Sequence, residues 1–156
     1  NVHGIIEATQ SGDKLKVGLK KDSRIQGDVV LNLYITTSQI EEIKAAGACY
    51  IEFENSFSGD VLDVDLSGAC KLIGDINTKE LFTNLVGASE MQLTGNADYF
   101  EIDAIGGSKM TGFNFTTNTL FADLLGGSHA SMSIEQKLDA TLDGASKLYY
   151  KGNGII

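Results

Sequence analysis

A glycine followed by a small residue and then Cys or Ser recurs six times along the chain at a nearly constant interval. The copies are Gly47-Ala48-Cys49, Gly68-Ala69-Cys70, Gly87-Ala88-Ser89, Gly106-Gly107-Ser108, Gly126-Gly127-Ser128 and Gly144-Ala145-Ser146. Successive glycines lie 21, 19, 19, 20 and 18 residues apart. A fixed period near twenty residues marks a solenoid, in which each repeat buries the apolar face of its neighbour. The repeat constrains architecture far more tightly than function.

Up to each glycine the residues alternate with period two, as in a strand with one buried face. Leu62, Val64 and Leu66 precede Gly68, and Leu81, Thr83 and Leu85 precede Gly87. Phe100, Ile102 and Ala104 precede Gly106; Leu120, Ala122 and Leu124 precede Gly126; Leu138, Ala140 and Leu142 precede Gly144. Two positions after the glycines stand Cys49, Cys70, Ser89, Ser108, Ser128 and Ser146. Four positions after them stand Ile51, Leu72, Met91, Met110, Ala130 and Leu148, and Ile76, Ala97, Phe115 and Ile134 lie on the return segment. Each file is chemically uniform, as stacked equivalent residues would be.

The pattern predicts an all-β chain: a single-stranded, right-handed parallel β-helix of about six coils with 18–21 residues each. The hand follows from the strong preference of parallel strand connections. Glycine at each corner permits positive φ and close backbone approach. At ~4.8 Å per coil the core would be roughly 25–30 Å long. Leucine-rich repeats need an LxxLxLxxN frame and left-handed β-helices a hexapeptide period; neither is present. The whole of 1–156 is expected to form one domain, with regular coils over 41–152 and irregular N-terminal strands over 1–40 acting as a cap. Those strands are expected near Gly4–Ala8, Leu15–Leu19 and Val29–Ile35, with a turn at Ser11-Gly12-Asp13. Tyr149-Tyr150-Lys151-Gly152 is expected to shield the other end.

Hydrophobic and charged fractions of 42% and 21% are globular values. No apolar run reaches the ~18 residues that span a bilayer. The chain has no initiator Met and no signal-peptide pattern, as expected of a mature protein or a fragment. The net charge of −9 disfavours nucleic acid as a partner. Residues 1–40 carry five basic and four acidic side chains, against seven and seventeen in 41–156, giving +1 and −10. The basic cluster Lys14, Lys16, Lys20, Lys21 and Arg24 reads as a solvated strand-and-turn face, with contact to an anion or headgroup as the alternative.

Two outward files carry most of the acids. Three residues before the glycines stand Lys44, Asp65, Asn84, Asp103, Asp123 and Thr141; five before stand Glu42, Asp63, Phe82, Glu101, Phe121 and Asp139. Asp103 and Asp123 would be neighbours about 5 Å apart, a repulsion of up to ~1 kcal/mol. Two readings stay open: a divalent cation held between them, or a water-screened face that keeps a β-rich rod soluble.

That spacing also matches the carboxylate pair of retaining glycosidases. Coils of 18–21 residues, however, leave no long loops to wall a cleft, and Arg24 is the single arginine. The chain is therefore expected not to be an enzyme. No catalytic, cofactor-binding or metal-ligating residue and no cofactor is assigned. His3 and His129 are too few for a cluster, and His129 falls in an outward file with Tyr50, Lys71, Glu90, Lys109 and Lys147, where Glu90 is expected to pair across coils. Cys49 and Cys70 stack one coil apart, as buried free thiols or as a disulfide strained by parallel side-chain directions. Phe82, Phe121, Tyr50 and Tyr149 are candidate exposed aromatics that would contact sugars or proteins, or lie under a cap, loop or subunit.

The alternating segments, the six glycine triplets and the closing Tyr150-Lys151-Gly152 together resemble the head-GIN-domain family of bacterial envelope proteins, described as autotransporter-type adhesins. Tyr34-Ile35 and Ile40-Glu41-Glu42-Ile43 resemble the family's lead-in to its first regular coil, so the likeness covers roughly residues 15–152. The resemblance implies a β-helix and an extracytoplasmic location (envelope, periplasm or cell surface), with any membrane contact made through a lipid anchor outside this chain. It supplies no catalytic motif. The expected function is a non-catalytic envelope β-helix, an adhesin or scaffold presenting a flat acidic face to a protein or glycan of unassigned identity. A filament-forming structural β-helix is the alternative, then a carbohydrate-binding or polysaccharide-active protein; homo-oligomerisation stays open.

Overall fold

A computed structural model describes residues 6–20 and 32–156, and its contacts divide the chain into two units, Asn1–Thr36 and Thr37–Ile156. In the first, β1 (Ile6–Ser11) pairs antiparallel with β2 (Lys14–Leu19). The expected Ser11-Gly12-Asp13 turn joins them, with Gly12 at φ 64°. Lys14, Lys16 and Lys20 are exposed; Lys21 and Arg24 lie outside the described residues. The expected strand at Val29–Ile35 needs correction over its described part. Residues 32–35 form no strand, and Leu33, Tyr34 and Ile35 are exposed because no described strand pairs with them.

The second unit is a β-solenoid of stacked coils. Its strands are β3 (Glu42–Gly47), β4 (Tyr50–Glu52), β5 (Phe57–Gly68), β6 (Lys71–Gly87), β7 (Glu90–Gly106), β8 (Lys109–Gly126), β9 (His129–Leu142) and β10 (Lys147–Lys151). They form one sheet in the order β10-β9-β8-β7-β6-β5-β3, with β4 on β6 and every pairing parallel. The described residues contain no helix.

The glycines set the register. Gly47 pairs with Gly68, Gly68 with Gly87, Gly87 with Gly106 and Gly106 with Gly126. At Gly87 φ is 87°, and a Cβ would lie 2.7 Å from the Gly68 carbonyl oxygen. The Ala88 N–H donates to that same oxygen at 2.7 Å, so the corner has no room for a side chain.

From this register the apolar files stack into a single core. Leu62, Val64, Leu66, Leu81, Leu85, Phe100, Ile102, Ala104, Leu120, Ala122 and Leu124 are all buried. So are Leu72, Met91, Met110 and Ala130 after the corners, and Ile76, Ala97, Phe115 and Ile134 on the return. Phe100 and Phe115 meet edge to face at 5.5 Å. Unequal coil lengths are absorbed by register shifts at Gln92/Gly95, Gly112/Thr116 and Thr117/Thr119.

The last coil departs from expectation. Leu138 is buried, but Ala140 and Leu142 are exposed. Their file is covered from one side only, since β9 pairs with β8 and β10 lies over His129–Ser133. The residues after β10 return only as far as Leu138, whose N–H donates to the Ile155 carbonyl at 2.9 Å. The Tyr149–Gly152 segment therefore extends the last coil rather than covering Ala140 and Leu142.

Candidate functional site: a patterned outward face

The segments that precede the glycine corners turn four outward files side by side. In register these are Glu80, Tyr99, Thr119 and Lys137; Phe82, Glu101, Phe121 and Asp139; Asn84, Asp103, Asp123 and Thr141; and Val86, Ile105 and Leu125. Period-two alternation forces the arrangement, because the residues between them are committed to the core.

Phe82 and Phe121 do not touch along their own file, where Glu101 separates them. Tyr99 leans across from the neighbouring file, its ring 5.7 Å from Phe82 and 5.5 Å from Phe121. Its hydroxyl donates to Glu101 Oε2 at 2.8 Å, which raises the Tyr99 pKa because deprotonation would break that bond. The Lys137 ammonium sits 4.5 Å from the centre of the Phe121 ring. The result is a diagonal ladder of three half-buried rings capped by a cation. Sequence reasoning found Phe82 and Phe121 but missed Tyr99; the signal was diagonal contact between outward positions two residues out of register.

It also missed the aliphatic stripe. Val86, Ile105 and Leu125 are 37%, 45% and 37% exposed and stand directly before their glycines. Their outward phase follows from the same alternation that buried Leu85, Ala104 and Leu124.

The acidic stripe is not continuous. At its first coil the Lys44 ammonium bridges Glu42 at 3.1 Å and Asp65 at 3.0 Å, and both bonds hold the lysine's pKa well above its ordinary value. Asn84 then interrupts the acids. Beyond it Asp103 faces Asp123 in register, and its carboxyl is pushed up by partial desolvation, then by Asp123 and Glu101. Among the described residues no cation pairs with Asp103 or Asp123, and no three His, Cys, Asp or Glu side chains converge on a metal-sized site.

The segments after the glycines build a different surface. Tyr50, Lys71, Glu90, Lys109, His129 and Lys147 stack as expected, and Lys71 meets Glu90 at 3.4 Å. The Tyr50 hydroxyl donates to Glu52 at 3.2 Å, and Tyr149 is exposed. On the return segment Asp75 accepts from Ser56 at 2.5 Å, Asn77 at 2.8 Å and Thr94 at 2.9 Å, which holds its carboxylate below the usual range.

The Cys/Ser file does more than pack. Each member donates to the carbonyl three residues back: Cys49 to Ala46 at 3.3 Å, Cys70 to Ser67 at 3.2 Å and Ser89 to Val86 at 3.0 Å. Ser108, Ser128 and Ser146 do the same to Ile105, Leu125 and Asp143 at 3.1, 2.9 and 2.7 Å. The donor closes the corner while satisfying a polar atom inside the core. Cys49 and Cys70 are free thiols, and the Cys49 thiol is pushed up by burial and by Cys70.

Such a face offers area, rings and charge to a binding partner. Of its four files, the acidic and aliphatic ones are exposed and the ring-bearing ones are largely half-buried. A family model described as "putative auto-transporter adhesin, head GIN domain" matches residues 1–154. Comparisons with curated proteins and with solved structures return no match.

Proposed function

The chain belongs to the auto-transporter adhesin head GIN family, and from that premise we propose that it is a non-catalytic adhesive or scaffolding solenoid of the cell envelope or surface. One observation carries this reading: aromatic, carboxylate and aliphatic files run side by side on an exposed face, held in register by the glycine corners. Leaving aliphatic side chains in water forgoes roughly 25 cal/mol for each Å² that a partner would cover. A filament-forming reading is favoured by one feature, the exposed Ala140 and Leu142 on the uncovered side of β9.

Beads coated with the full chain test the proposal on panels of immobilised proteins and glycans, beside a reducing-sugar assay and concentration-dependent light scattering. Saturable retention on a subset of surfaces, with no sugar release and constant scattering, is the expected result. Sugar release would overturn the non-catalytic part. Scattering that grows with concentration would favour filaments, and absence of retention on every surface would overturn adhesion.

A further inference from the structure

We propose that the face around Tyr99 docks a basic, amphipathic polypeptide segment of a partner protein, one presenting lysine or arginine beside apolar side chains. The inference rests on the adhesive reading and adds the chemistry of the partner.

The ring ladder supplies the anchor. Phe82, Tyr99 and Phe121 present ring surface that remains partly open, with centroid spacings of 5.7 and 5.5 Å. Aromatic groups of this kind attract cations over their faces, and Lys137 already occupies one end of the ladder at 4.5 Å from Phe121.

The chain also displays how a cation fits the acidic files. Lys44 stands in the same file as Asp103 and Asp123, and it spans a carboxylate in its own file and one in the next. Beyond Asn84 those files hold Asp103, Asp123 and Glu101 without an ion pair to any described cation. A partner's ammonium or guanidinium placed there would do for Asp103 and Asp123 what Lys44 does for Glu42 and Asp65. The charge of −10 over residues 41–156 would speed the approach of such a partner.

The aliphatic stripe decides between a polypeptide and a sugar. A glycan would stack on the rings and hydrogen-bond the carboxylates, yet it would leave Val86, Ile105 and Leu125 wet. An extended segment with basic and apolar side chains two residues apart on one face covers both kinds of file at once, because the acidic and aliphatic files are themselves two residues apart along each strand.

Fluorescence anisotropy with the full chain tests this. The probe is a labelled peptide repeating Lys-Ser-Val-Ser, which puts lysine and valine on one face when extended; controls are the same peptide with glutamate for lysine, and a labelled N-acetylglucosamine oligosaccharide. The lysine peptide should bind, weaken as salt rises, and lose about tenfold in affinity to the Asp103→Asn/Asp123→Asn double variant. Tyr99→Leu should lose a similar factor. Because the double variant alters no core side chain, it decides the matter should Tyr99→Leu fold poorly. Unchanged binding by the double variant, equal binding of the glutamate peptide, or binding of the oligosaccharide alone would overturn the proposal. Beads coated with the double variant separate the two readings. If they adhere as strongly as wild type, this docking site falls while adhesion stands. If wild-type beads adhere to nothing yet the lysine peptide binds, adhesion falls and the docking site stands.

Discussion

Leu124 and Leu142 stand in the same file, one coil apart and each two residues before a corner glycine. Leu124 is fully buried, whereas Leu142 is 48% exposed. Their local sequences, Ala-Asp-Leu-Leu-Gly and Ala-Thr-Leu-Asp-Gly, give little reason for the difference. Their neighbours do. Leu124 has Ala104 on one side and Leu142 on the other, while Leu142 has Leu124 alone in the sheet. Burial in this fold belongs to the stack, so one residue pattern acquires different energetics in the middle coils and at the end.

The largest effect should come from placing a charge in the middle of the stack. Leu85→Asp is expected to cost at least ~4 kcal/mol in urea denaturation, because the carboxylate would be buried without a partner. Leu142→Asp should cost under about 1 kcal/mol, since that site is half in water. Equal losses would break the comparison.

The corner glycines sharpen it. A Cβ on Gly87 would meet the Gly68 carbonyl oxygen, whereas one on Gly47 meets nothing within 4 Å; φ is positive at both, 87° and 99°. Gly47→Ala should therefore lose only the strain of its φ, about 1 kcal/mol, and Gly87→Ala about 1–3 kcal/mol more through displacement of the coil beneath it. Thermal melting of the two variants measures the gap.

The serine file gives a smaller version. Ser108 is fully buried and donates to the Leu85 and Ile105 carbonyls, both at 3.1 Å; Ser146 makes equivalent bonds at 2.8 and 2.7 Å but is half-exposed. Ser108→Ala should destabilise by about 1–3 kcal/mol and Ser146→Ala by under about 1, because water can replace the lost donor only at the end coil. Ser108→Cys should recover part of the loss, as Cys49 and Cys70 make the same kind of bond.

The acidic files should respond least, and with opposite signs. Asp65→Asn loses half of the exposed Lys44 bridge and should lower Tm only slightly. Asp103→Asn removes a partly desolvated charge and its repulsion by Asp123 and Glu101, and should raise Tm slightly. A raised folded pKa means that the native state holds the proton more tightly than the unfolded chain. The Asp103 penalty is therefore absent well below the ordinary aspartate value of ~4 and grows as pH rises through the raised value. The advantage of Asp103→Asn should appear only on the higher-pH side of that window, measured as the difference in Tm.

Much of the fold was legible because two signals agreed, period-two alternation and glycine punctuation every twenty residues. Together they placed Leu66, Leu85, Leu124 and the Ser/Cys file inside, and Asp103 and Asp123 outside. They failed at Ala140 and Leu142, where burial depends on a covering strand rather than on the residue. They failed again at Leu33-Tyr34-Ile35, where an apolar run with no described strand paired to it forms no strand. The site was half legible. Phe82 and Phe121 stood out as aromatics among acids, but the ladder needs Tyr99, which reaches it diagonally from another file. The carbonyl acceptors of the Ser/Cys file depend on the shape of the corner, which spacing alone does not convey.

The most direct test compares Leu124→Ala with Leu142→Ala by chemical denaturation under identical conditions. If stacked, registered files make the core, Leu124→Ala loses about 2–5 kcal/mol and Leu142→Ala under about 1 kcal/mol. Equal losses, or a larger loss at Leu142, would contradict it.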